Sequence, residues 1–262
     1  MYKLAALDSD LAGTIFAGRL HYAAVTASTN SDAMAAARSG APHGSVWLAD
    51  EQTAGRGRGD HRWHSAAGDG LYASVLLRPQ IPAARFPLLP LVAGLAAANA
   101  IRNVAAVDID LRWPNDLLIG MRKTGGILVE SSGSAAQQRV AVVGIGINVH
   151  QSGFPAEIDT PATSLDIEAG RRICRQALLA AVLRSLEGEI AALVDSASAG
   201  EIPRRIERAS TWLRGRRVRV HGPQACTGVT AGLNEDGFLR VQTDAGIVIV
   251  QTGGIRAAEP HR

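Results

Sequence analysis

Cysteine is scarce in this sequence, and the cysteines present form no pattern. The 262 residues include two, Cys174 and Cys226, which stand in no CxxC or Cys/His spacing. Structural zinc sites require such spacings, and disulfide frameworks require several paired cysteines. The sequence therefore argues against a zinc-stabilised or disulfide-stabilised fold. Apolar residues make up 47% of the chain, which is enough to build a sizeable core by packing alone.

Long apolar runs are also missing. The apolar stretch without a charge at residues 86–101 contains Pro87 and Pro90 and is shorter than the ~20 residues of a membrane-spanning helix. Near the N-terminus, Asp8 and Asp10 interrupt the apolar pattern, so no secretory signal is recognisable. These features predict a soluble, cytoplasmic protein with no membrane attachment.

Charge of either sign is modest. Charged residues make up 19% of the chain, and the formal net charge is +3. A weak and dispersed positive charge is compatible with small anionic ligands, but it does not by itself argue for nucleic acid. The length suits one large domain or one domain with a small appendage.

Several catalytic motifs are absent. The sequence has no GxxxxGK[ST] segment, no G-x-S-x-G segment and no helix with metal-binding His and Glu. These absences exclude a P-loop and argue against a serine nucleophile or a zinc-protease mechanism. His61 and His64 are close in sequence, but no acid or cysteine beside them builds a metal site, so we interpret them as loop surface.

The arrangement of β-forming and helical segments predicts an α+β fold. Strand-like segments joined by short turns predict a mixed, mainly antiparallel sheet with flanking helices. From about residue 213 onward, four short strand-like segments separated by turn residues predict a small β-barrel. We therefore predict two domains, residues 1–212 and 213–262. The strands are predicted at residues 20–25, 46–49, 70–78, 109–113, 127–130, 140–149, 216–220, 226–233, 238–243 and 247–251.

One segment stands out chemically. Residues 55–63, GRGRGDHRW, combine three glycines with three arginines and end in a tryptophan. Glycine lets the backbone approach a ligand closely, and arginine offers a fixed cation that fits carboxylates and phosphates. We call this segment the Arg/Gly loop. It predicts a specific anion site, with a solvated basic turn or an RGG-type nucleic-acid segment as the alternatives.

Three further segments have both a structural and a functional interpretation. Residues 28–32, STNSD, begin a short helix and form either a simple cap or a group of ligand-facing donors. Residues 112–116, RWPND, form either a turn or a nucleotide site in which Asp116 suits a hard cation such as Mg²⁺. Lys123, followed by Thr-Gly-Gly, belongs to a charged turn or points at a phosphate.

Five segments taken together resemble biotin–protein ligases. They are residues 28–30 (STN), 52–58 (QTAGRGR), 112–116 (RWPND), 123–128 (KTGGIL) and 144–148 (GIGIN). Their order and spacing match that family's catalytic domain, and the C-terminal strands resemble its SH3-like domain. The resemblance implies a class II aminoacyl-tRNA synthetase/biotin ligase-like fold. It also implies the ATP-dependent attachment of biotin to a lysine of a biotin carboxyl carrier protein, through biotinyl-5′-AMP.

The resemblance also implies roles for individual residues. Lys123 and Arg58 would be catalytic, with Lys123 at the junction of the biotin carboxylate and the phosphate. Trp63 would pack the closed loop. The residues implied for biotin are Ser28, Thr29, Asn30, Gln52, Arg56, Gly57, Arg58 and Lys123. The residues implied for the nucleotide are Arg58, Arg112, Asn115, Asp116 and Asn148. We expect no tightly bound cofactor and no intrinsic metal site, with Mg²⁺ arriving with ATP near Asp116.

The Arg/Gly loop departs from the family pattern at residues 59–61. The third glycine of the pattern appears shifted by one residue to Gly59, and Asp60 and His61 follow where the family commonly has glycine and a basic residue. Asp60 would repel phosphates, so we predict that it points away from the ligand. The missing cation would have to come from Arg62 or from a charged His61.

The expected partners follow from the same resemblance. Only 27 residues precede Ser28, so we expect a short form without an N-terminal DNA-binding domain and no binding to DNA. The sequence leaves open whether the protein is a monomer or a homodimer. The alternatives are a lipoate–protein ligase or octanoyltransferase of the same fold, or a biotin-responsive regulator. Gln52 and the paired arginines of the loop favour biotin.

Overall fold

The computed structural model describes residues 2–133, 139–154 and 160–258. Seven strands form the first sheet, and they are β1 (Leu20–Thr26), β2 (Val46–Gln52), β3 (Gly70–Leu77), β4 (Asp110–Arg112), β5 (Asp116–Ile119), β6 (Arg122–Ser132) and β7 (Val140–Asn148). Their order across the sheet is β1-β2-β3-β7-β6-β5-β4. In the described chain, β1 and β2 are parallel, and the other neighbouring pairs are antiparallel. The predicted mixed, mainly antiparallel sheet is confirmed.

The helices flank this sheet. They are α1 (Leu4–Asp10), α2 (Thr29–Arg38), α3 (Leu89–Ala105), α4 (Leu165–Ala169), α5 (Arg175–Val194), α6 (Ser196–Ala199) and α7 (Ile202–Arg208). A 3₁₀ turn over Ala83–Leu88 leads into α3, which packs along α5. The stretch Ala83–Ala105 is long and apolar enough to cross a membrane by length and composition, but 67% of its apolar window is buried inside the protein. It is therefore packed as a core helix.

Helix α1 was not predicted from the sequence. Its seven residues bury only Leu7, and its N-terminus has no side-chain cap. Tertiary packing stabilises it, because Leu7, Leu11 and Phe16 are all fully buried in the main hydrophobic core. A helix this short gives little periodic signal by itself.

The C-terminal part forms a second sheet, entirely antiparallel in the described chain. Its strands are β8 (Arg214–His221), β9 (Cys226–Leu233), β10 (Leu239–Thr243), β11 (Gly246–Val250) and β12 (Gly254–Ala257), in the order β11-β10-β9-β8-β12. The four predicted strands are therefore present in an antiparallel sheet, with a fifth strand, β12, that the sequence pattern did not show. The closure of this sheet into a barrel stays a prediction. Four residues beginning with glycine are too few for a clear alternation.

The two sheets are joined by specific contacts. The indole nitrogen of Trp113 donates to the Gly237 carbonyl at 3.1 Å, and the Leu233 amide donates to the Glu207 carboxylate at 2.7 Å. The apolar core continues across this junction through Trp212 and Leu213. The division at 212/213 stays a prediction. Met1 and residues 134–138, 155–159 and 259–262 lie outside the described residues.

Candidate active site

A cavity of about 600 Å³ opens between the first sheet, the start of α2, the Arg/Gly loop and one edge of the second sheet. Five sequence-distant segments meet there, as the motif pattern predicted. The predicted site residues that line it are Ser28, Thr29, Asn30, Gln52, Arg56, Gly57, Arg58, Asn115, Asp116, Lys123 and Asn148. Arg112 lies behind this surface, in contact with Asp116. The other predicted residues line this one cavity, which is uncharged and polar at one end and cationic at the other.

One end of the cavity is polar and uncharged. The Thr29 amide donates to the Gln52 side-chain carbonyl at 2.9 Å, and the Thr29 hydroxyl lies 2.7 Å from that of Ser74. The Ser74 hydroxyl in turn donates to the Asn30 side-chain carbonyl at 2.5 Å. Ser28, at the helix N-cap, makes no side-chain capping bond. The simple-cap interpretation therefore does not describe this helix start, whose polar groups are held by neighbouring strands.

Gly144 on β7 makes room for this polar end. A Cβ at position 144 would collide with the Asn30 side chain, including its carbonyl oxygen. The strand register places Gly144 opposite Ser74 on β3 and opposite Leu128 on β6. Because Gly144 has no side chain, the Asn30 side chain packs directly against the backbone of the sheet.

We expect Gly144→Ala to lower the free energy of unfolding by about 1–3 kcal/mol, the usual cost of overpacking a tight interior. Urea unfolding of both proteins measures the difference. Gly188 in α5 is the matched control, because a Cβ there meets nothing within 4 Å. Gly188→Ala should raise stability by about 0.5–1 kcal/mol, as expected for this change inside a helix. Equal effects of the two changes would contradict the packing role of Gly144.

The opposite end of the cavity carries a charge cluster centred on Asp116. One carboxylate oxygen lies 2.5 Å from the Lys123 ammonium, and the other accepts two bonds from Arg112 at 2.7 and 3.1 Å. Burial opposes ionisation of Asp116, but Lys123 and Arg112 together lower its pKa below the ordinary value. The carboxylate is therefore charged, and it holds two cations in fixed positions.

Lys123 is the cation of this cluster that lines the cavity. Its backbone is fixed by two bonds, since its amide donates to the Pro161 carbonyl and its carbonyl accepts from the Thr163 amide. Its ammonium also lies 5.5 Å from the centre of the Trp63 ring. By contrast, Arg112 is only 3% exposed and is covered by the Trp212 ring. Arg112 does not line the cavity itself but contacts two lining residues, Asp116 and Thr160. Its predicted nucleotide role stays a prediction.

The two predicted amide ligands, Asn115 and Asn148, line the cavity but are already bonded to the protein. The Asn115 amide donates to the Ile127 carbonyl at 2.7 Å. The Asn148 amide donates to the Thr163 carbonyl at 3.1 Å. Both side chains connect strands or loops at the cationic end. They would contact a nucleotide through atoms that these two bonds do not use.

The Arg/Gly loop forms a short hairpin over the cavity. The Gly57 amide donates to the His61 carbonyl at 2.7 Å, and the Trp63 amide donates to the Gly55 carbonyl at 2.9 Å. Gly59 sits at the tip with a φ of 64°, which is a conformation that favours glycine. The shifted glycine of the loop is thus explained by the turn that it makes. Asp60 is exposed and away from the cavity lining, as predicted.

Both residues considered as the replacement cation, His61 and Arg62, line the cavity, and so does His64. These side chains are exposed as well, so the interpretation of the histidines as loop surface is correct but incomplete. Trp63 closes the hairpin over Gly146, where a Cβ would lie only 2.7 Å from the indole nitrogen. That glycine provides the space in which the tryptophan packs.

Several residues of the site were missed in the sequence. Glu130 on β6 contacts both Asn30 and Arg56, and no local signal marks it. The second sheet also reaches the cavity, because the Arg58 guanidinium donates to the Gly253 carbonyl. Burial lowers the pKa of Arg58, and the nearby Asp116 opposes this shift. The cavity-lining residues of the second sheet and its turns are His221, Gly222, Gly253, Gly254 and Arg256.

Comparison with known families gives a match over residues 22–148 to the biotin/lipoate A/B protein ligase family. The chain is 36% identical over 240 residues to the bifunctional ligase/repressor BirA of Bacillus subtilis (strain 168), covering 90% of this chain and 73% of that relative. It is 34% identical over 244 residues to the biotin–[acetyl-CoA-carboxylase] ligase of Mycobacterium tuberculosis, covering 90% of this chain and 88% of that relative.

Solved structures agree with this match. A biotin protein ligase from Aquifex aeolicus in complex with biotin and ATP superposes with a TM-score of 0.79 and 31% identity, over 91% of this chain and 98% of that one. Relatives above 30% identity that are covered over most of their length share both fold and family. The chain therefore belongs to the biotin/lipoate A/B protein ligase family, among the biotin protein ligases.

Proposed function

We propose that this chain attaches biotin to a lysine of a biotin carboxyl carrier protein in two steps. A biotin carboxylate oxygen attacks the α-phosphorus of ATP, forming biotinyl-5′-AMP and releasing pyrophosphate. The lysine amine then attacks the carbonyl carbon of this anhydride, forming an amide and releasing AMP. The observation that carries the proposal is the single cavity that joins an uncharged polar end to a cationic end.

The uncharged end suits the ureido ring of biotin, which is neutral and offers both hydrogen-bond donors and acceptors. We assign the ring to Ser28, Thr29, Asn30 and Gln52, which line this end. The first three are buried, with exposed fractions of 3–4%. Thr29, Asn30 and Gln52 already have protein partners. A ligand that displaces these bonds must replace them, because buried polar groups without partners are costly.

The cationic end suits the two anions that must react. A carboxylate and a triphosphate repel each other, and charge grows on the phosphate oxygens in the transition state. Lys123 and Arg58 line this end, and Asp116 fixes the position of Lys123. Prearranged cations lower the barrier because they need no reorganisation during the reaction. We therefore assign Lys123 and Arg58 to the reacting groups, with Asn115, Asp116 and Asn148 supporting the nucleotide.

Mg²⁺ would enter bound to ATP rather than to a protein site. Among the described residues, no group of three His, Cys, Asp or Glu side chains could hold a metal ion. Asp116 is the carboxylate in the described cavity lining, and both of its oxygens are bonded to cations. It would offer an oxygen to Mg²⁺ only by giving up Lys123 or Arg112, so we assign most of the metal's ligands to phosphates and water.

The names of the similar proteins support this assignment. The Aquifex aeolicus ligase is described in complex with biotin and ATP, and the Mycobacterium tuberculosis relative is named as acting on acetyl-CoA carboxylase. By analogy, we propose a carboxylase carrier domain as the protein substrate. A cytoplasmic location, no attachment to membranes, no binding to DNA, and a monomeric or homodimeric state stay predictions from the sequence.

The proposed function is tested by incubating the protein with ATP, Mg²⁺ and one acid at a time, with pyrophosphate release as the readout. We expect release with biotin and none above background with lipoate or octanoate. Release with lipoate alone would overturn the proposal in favour of the other branch of the family. Adding a carrier domain should then give a biotinylated lysine. DNA binding at physiological salt would instead indicate a regulator.

A further inference from the structure

Glu130 lies outside the cavity lining, yet it contacts the site at two places. Its carboxylate accepts two bonds from the Arg56 guanidinium, at 2.9 and 2.7 Å. One of the same oxygens also accepts from the Asn30 amide at 2.8 Å. Glu130 thus connects a residue of the Arg/Gly loop with a residue of the proposed biotin end.

These contacts are part of a longer series of hydrogen bonds. This series contacts the Arg/Gly loop near both of its ends. From Glu130 it passes through Asn30 and Ser74 to Thr29. The Thr29 amide and hydroxyl then bond to Gln52, whose amide donates to the Ser65 hydroxyl at 2.9 Å. Arg56 stands at the start of the loop and Ser65 two residues after its end. The series passes through three of the four residues assigned to biotin.

Each hydroxyl has only one proton to donate, so a ligand that takes one of these protons changes the hydrogen bonds of the series. Ser74 has one hydroxyl proton and donates it to Asn30. Thr29 also has one, and both Ser74 and Gln52 accept within 3.1 Å, so only one of them can receive it. The Asn30 amide is similarly committed to Glu130 and the Leu128 carbonyl. A ligand group that takes a proton from the Thr29 hydroxyl or the Asn30 amide must therefore redistribute bonds that extend to Glu130.

The Arg56 guanidinium is paired with the carboxylate of Glu130, so its charge is already used within the protein. Both terminal nitrogens of its guanidinium are bonded to the carboxylate, and its side chain is 44% exposed. The charge of Glu130 largely cancels that of Arg56 at this point. Lys123 and Arg58 remain the cations assigned to the reacting groups, while Arg56 anchors its end of the loop to β6.

We propose that Glu130 is a positioning residue that ties the Arg/Gly loop to β6 through Arg56 and links this tie to the biotin end through Asn30. The tie keeps the loop closed over biotinyl-5′-AMP between the two steps. This inference rests on the proposed function, since it concerns retention of the intermediate of that reaction. Glu130 acts through Arg56 and Asn30 and touches no reacting atom.

The test compares adenylate formation with adenylate release. Each protein forms the adenylate from labelled biotin, ATP and Mg²⁺, excess ligand is removed rapidly, and bound label is followed over time. We expect Glu130→Gln to release the adenylate about two- to fivefold faster, the scale for losing a partly exposed ion pair. The rate of biotin-dependent pyrophosphate release should change less than the release rate does.

A second variant keeps the test independent of folding. Arg56→Gln alters an exposed loop side chain and should accelerate release by the same factor. The double variant should release no faster than either single variant, because both changes break one connection. Glu201→Gln is the control, since it removes one charge from the exposed pair with Arg204 on α7, and retention should match the unaltered protein.

Three results would overturn the inference. Glu130→Gln and Arg56→Gln could both retain the adenylate normally. The effects of the two changes could multiply in the double variant. Glu130→Gln could lower the ATP concentration needed for half-maximal rate, which would mean that a freed Arg56 binds phosphate directly. Failure of the proposed function is distinguishable, because the unaltered protein would then form no biotin-dependent adenylate at all.

Discussion

Replacing Lys123 with alanine is expected to lower the rate of adenylate formation by about 10²- to 10³-fold, the usual effect of removing one prearranged electrostatic group from an active site. Lys123 is the cation that lines the cavity and is held by a buried carboxylate, Asp116. The change removes this charge from the place where two anions must meet. Single-turnover pyrophosphate release at saturating biotin and ATP isolates the chemical step from binding.

The same variant should remain folded. The side chain of Lys123 is 27% exposed, so its removal leaves no large cavity. Asp116 keeps its two bonds from Arg112, and the backbone bonds of residue 123 to Pro161 and Thr163 do not depend on the side chain. Circular dichroism and the thermal midpoint should therefore stay close to those of the unaltered protein.

The neighbouring cation provides the control for this experiment. Arg122 is exposed, lies outside the cavity lining and pairs with Glu168 at 2.9 Å. Arg122→Ala removes the same charge one residue away and should keep adenylate formation within about twofold, as expected for an exposed ion pair. A Lys123→Ala protein that retains more than a tenth of the normal rate would contradict the assigned role.

The membership of the site could be predicted from the sequence because the motifs are local. Glycine, arginine and polar residues at characteristic spacings mark the Arg/Gly loop and the start of α2, and their order is specific to one family. The outward direction of Asp60 also follows from charge repulsion, whereas the turn at Gly59 is known only from its φ of 64° in the structure. The structure places the predicted residues around one cavity, apart from Arg112, which lies behind Asp116, and it adds Glu130 and residues of the second sheet.

The pairings within the site could not be predicted, because they depend on strand register. Glu130 meets Asn30 although 100 residues separate them, and Arg56 meets Glu130 across 74 residues. Gly144 and Gly146 receive Asn30 and Trp63 because β7 lies between β3 and β6. A one-residue shift of register would direct these positions to the other face. The sequence contains the residues, but the order of the strands decides which ones touch.

Strand β12 illustrates the same limit for the fold. Its four residues carry too short a pattern to be recognised, yet they pair with β8 and bring Arg256 to the cavity. The second sheet was predicted as an appendage. Its bond from Arg58 to Gly253 and its place in the cavity lining make it part of the site.

Asp116→Asn is expected to lower the free energy of unfolding by about 3–5 kcal/mol at neutral pH, the cost of removing one partner from a buried ion pair. The change preserves the shape of the side chain but leaves the charge of Arg112 without its counterion. Arg112 is 3% exposed, and its other contacts are the Thr160 hydroxyl and the Trp212 ring. None of these groups can balance a buried positive charge. Urea unfolding at pH 7 measures the loss.

The exposed pair of Arg102 and Asp108 offers a matched control. Its side chains are 61% and 84% exposed, so water already screens the two charges. Asp108→Asn makes the same chemical change and should alter stability by less than about 0.5 kcal/mol. An Asp116→Asn protein within 1 kcal/mol of the unaltered one would contradict the account of the buried cluster.

The dependence of stability on pH gives a second, independent measure of the same cluster. The pKa of Asp116 is lower in the folded protein than its ordinary value of 3.8, so the unfolded chain binds the proton more readily. The stabilisation is therefore complete above about pH 5 and is lost as the pH falls below about 4, through the folded-state pKa. Asp116→Asn carries no titrating group at this position and lacks the contribution at every pH. The difference in unfolding free energy between the two proteins should shrink steadily from pH 5 to pH 3, and a constant difference would mean that Asp116 does not stabilise the fold through its charge.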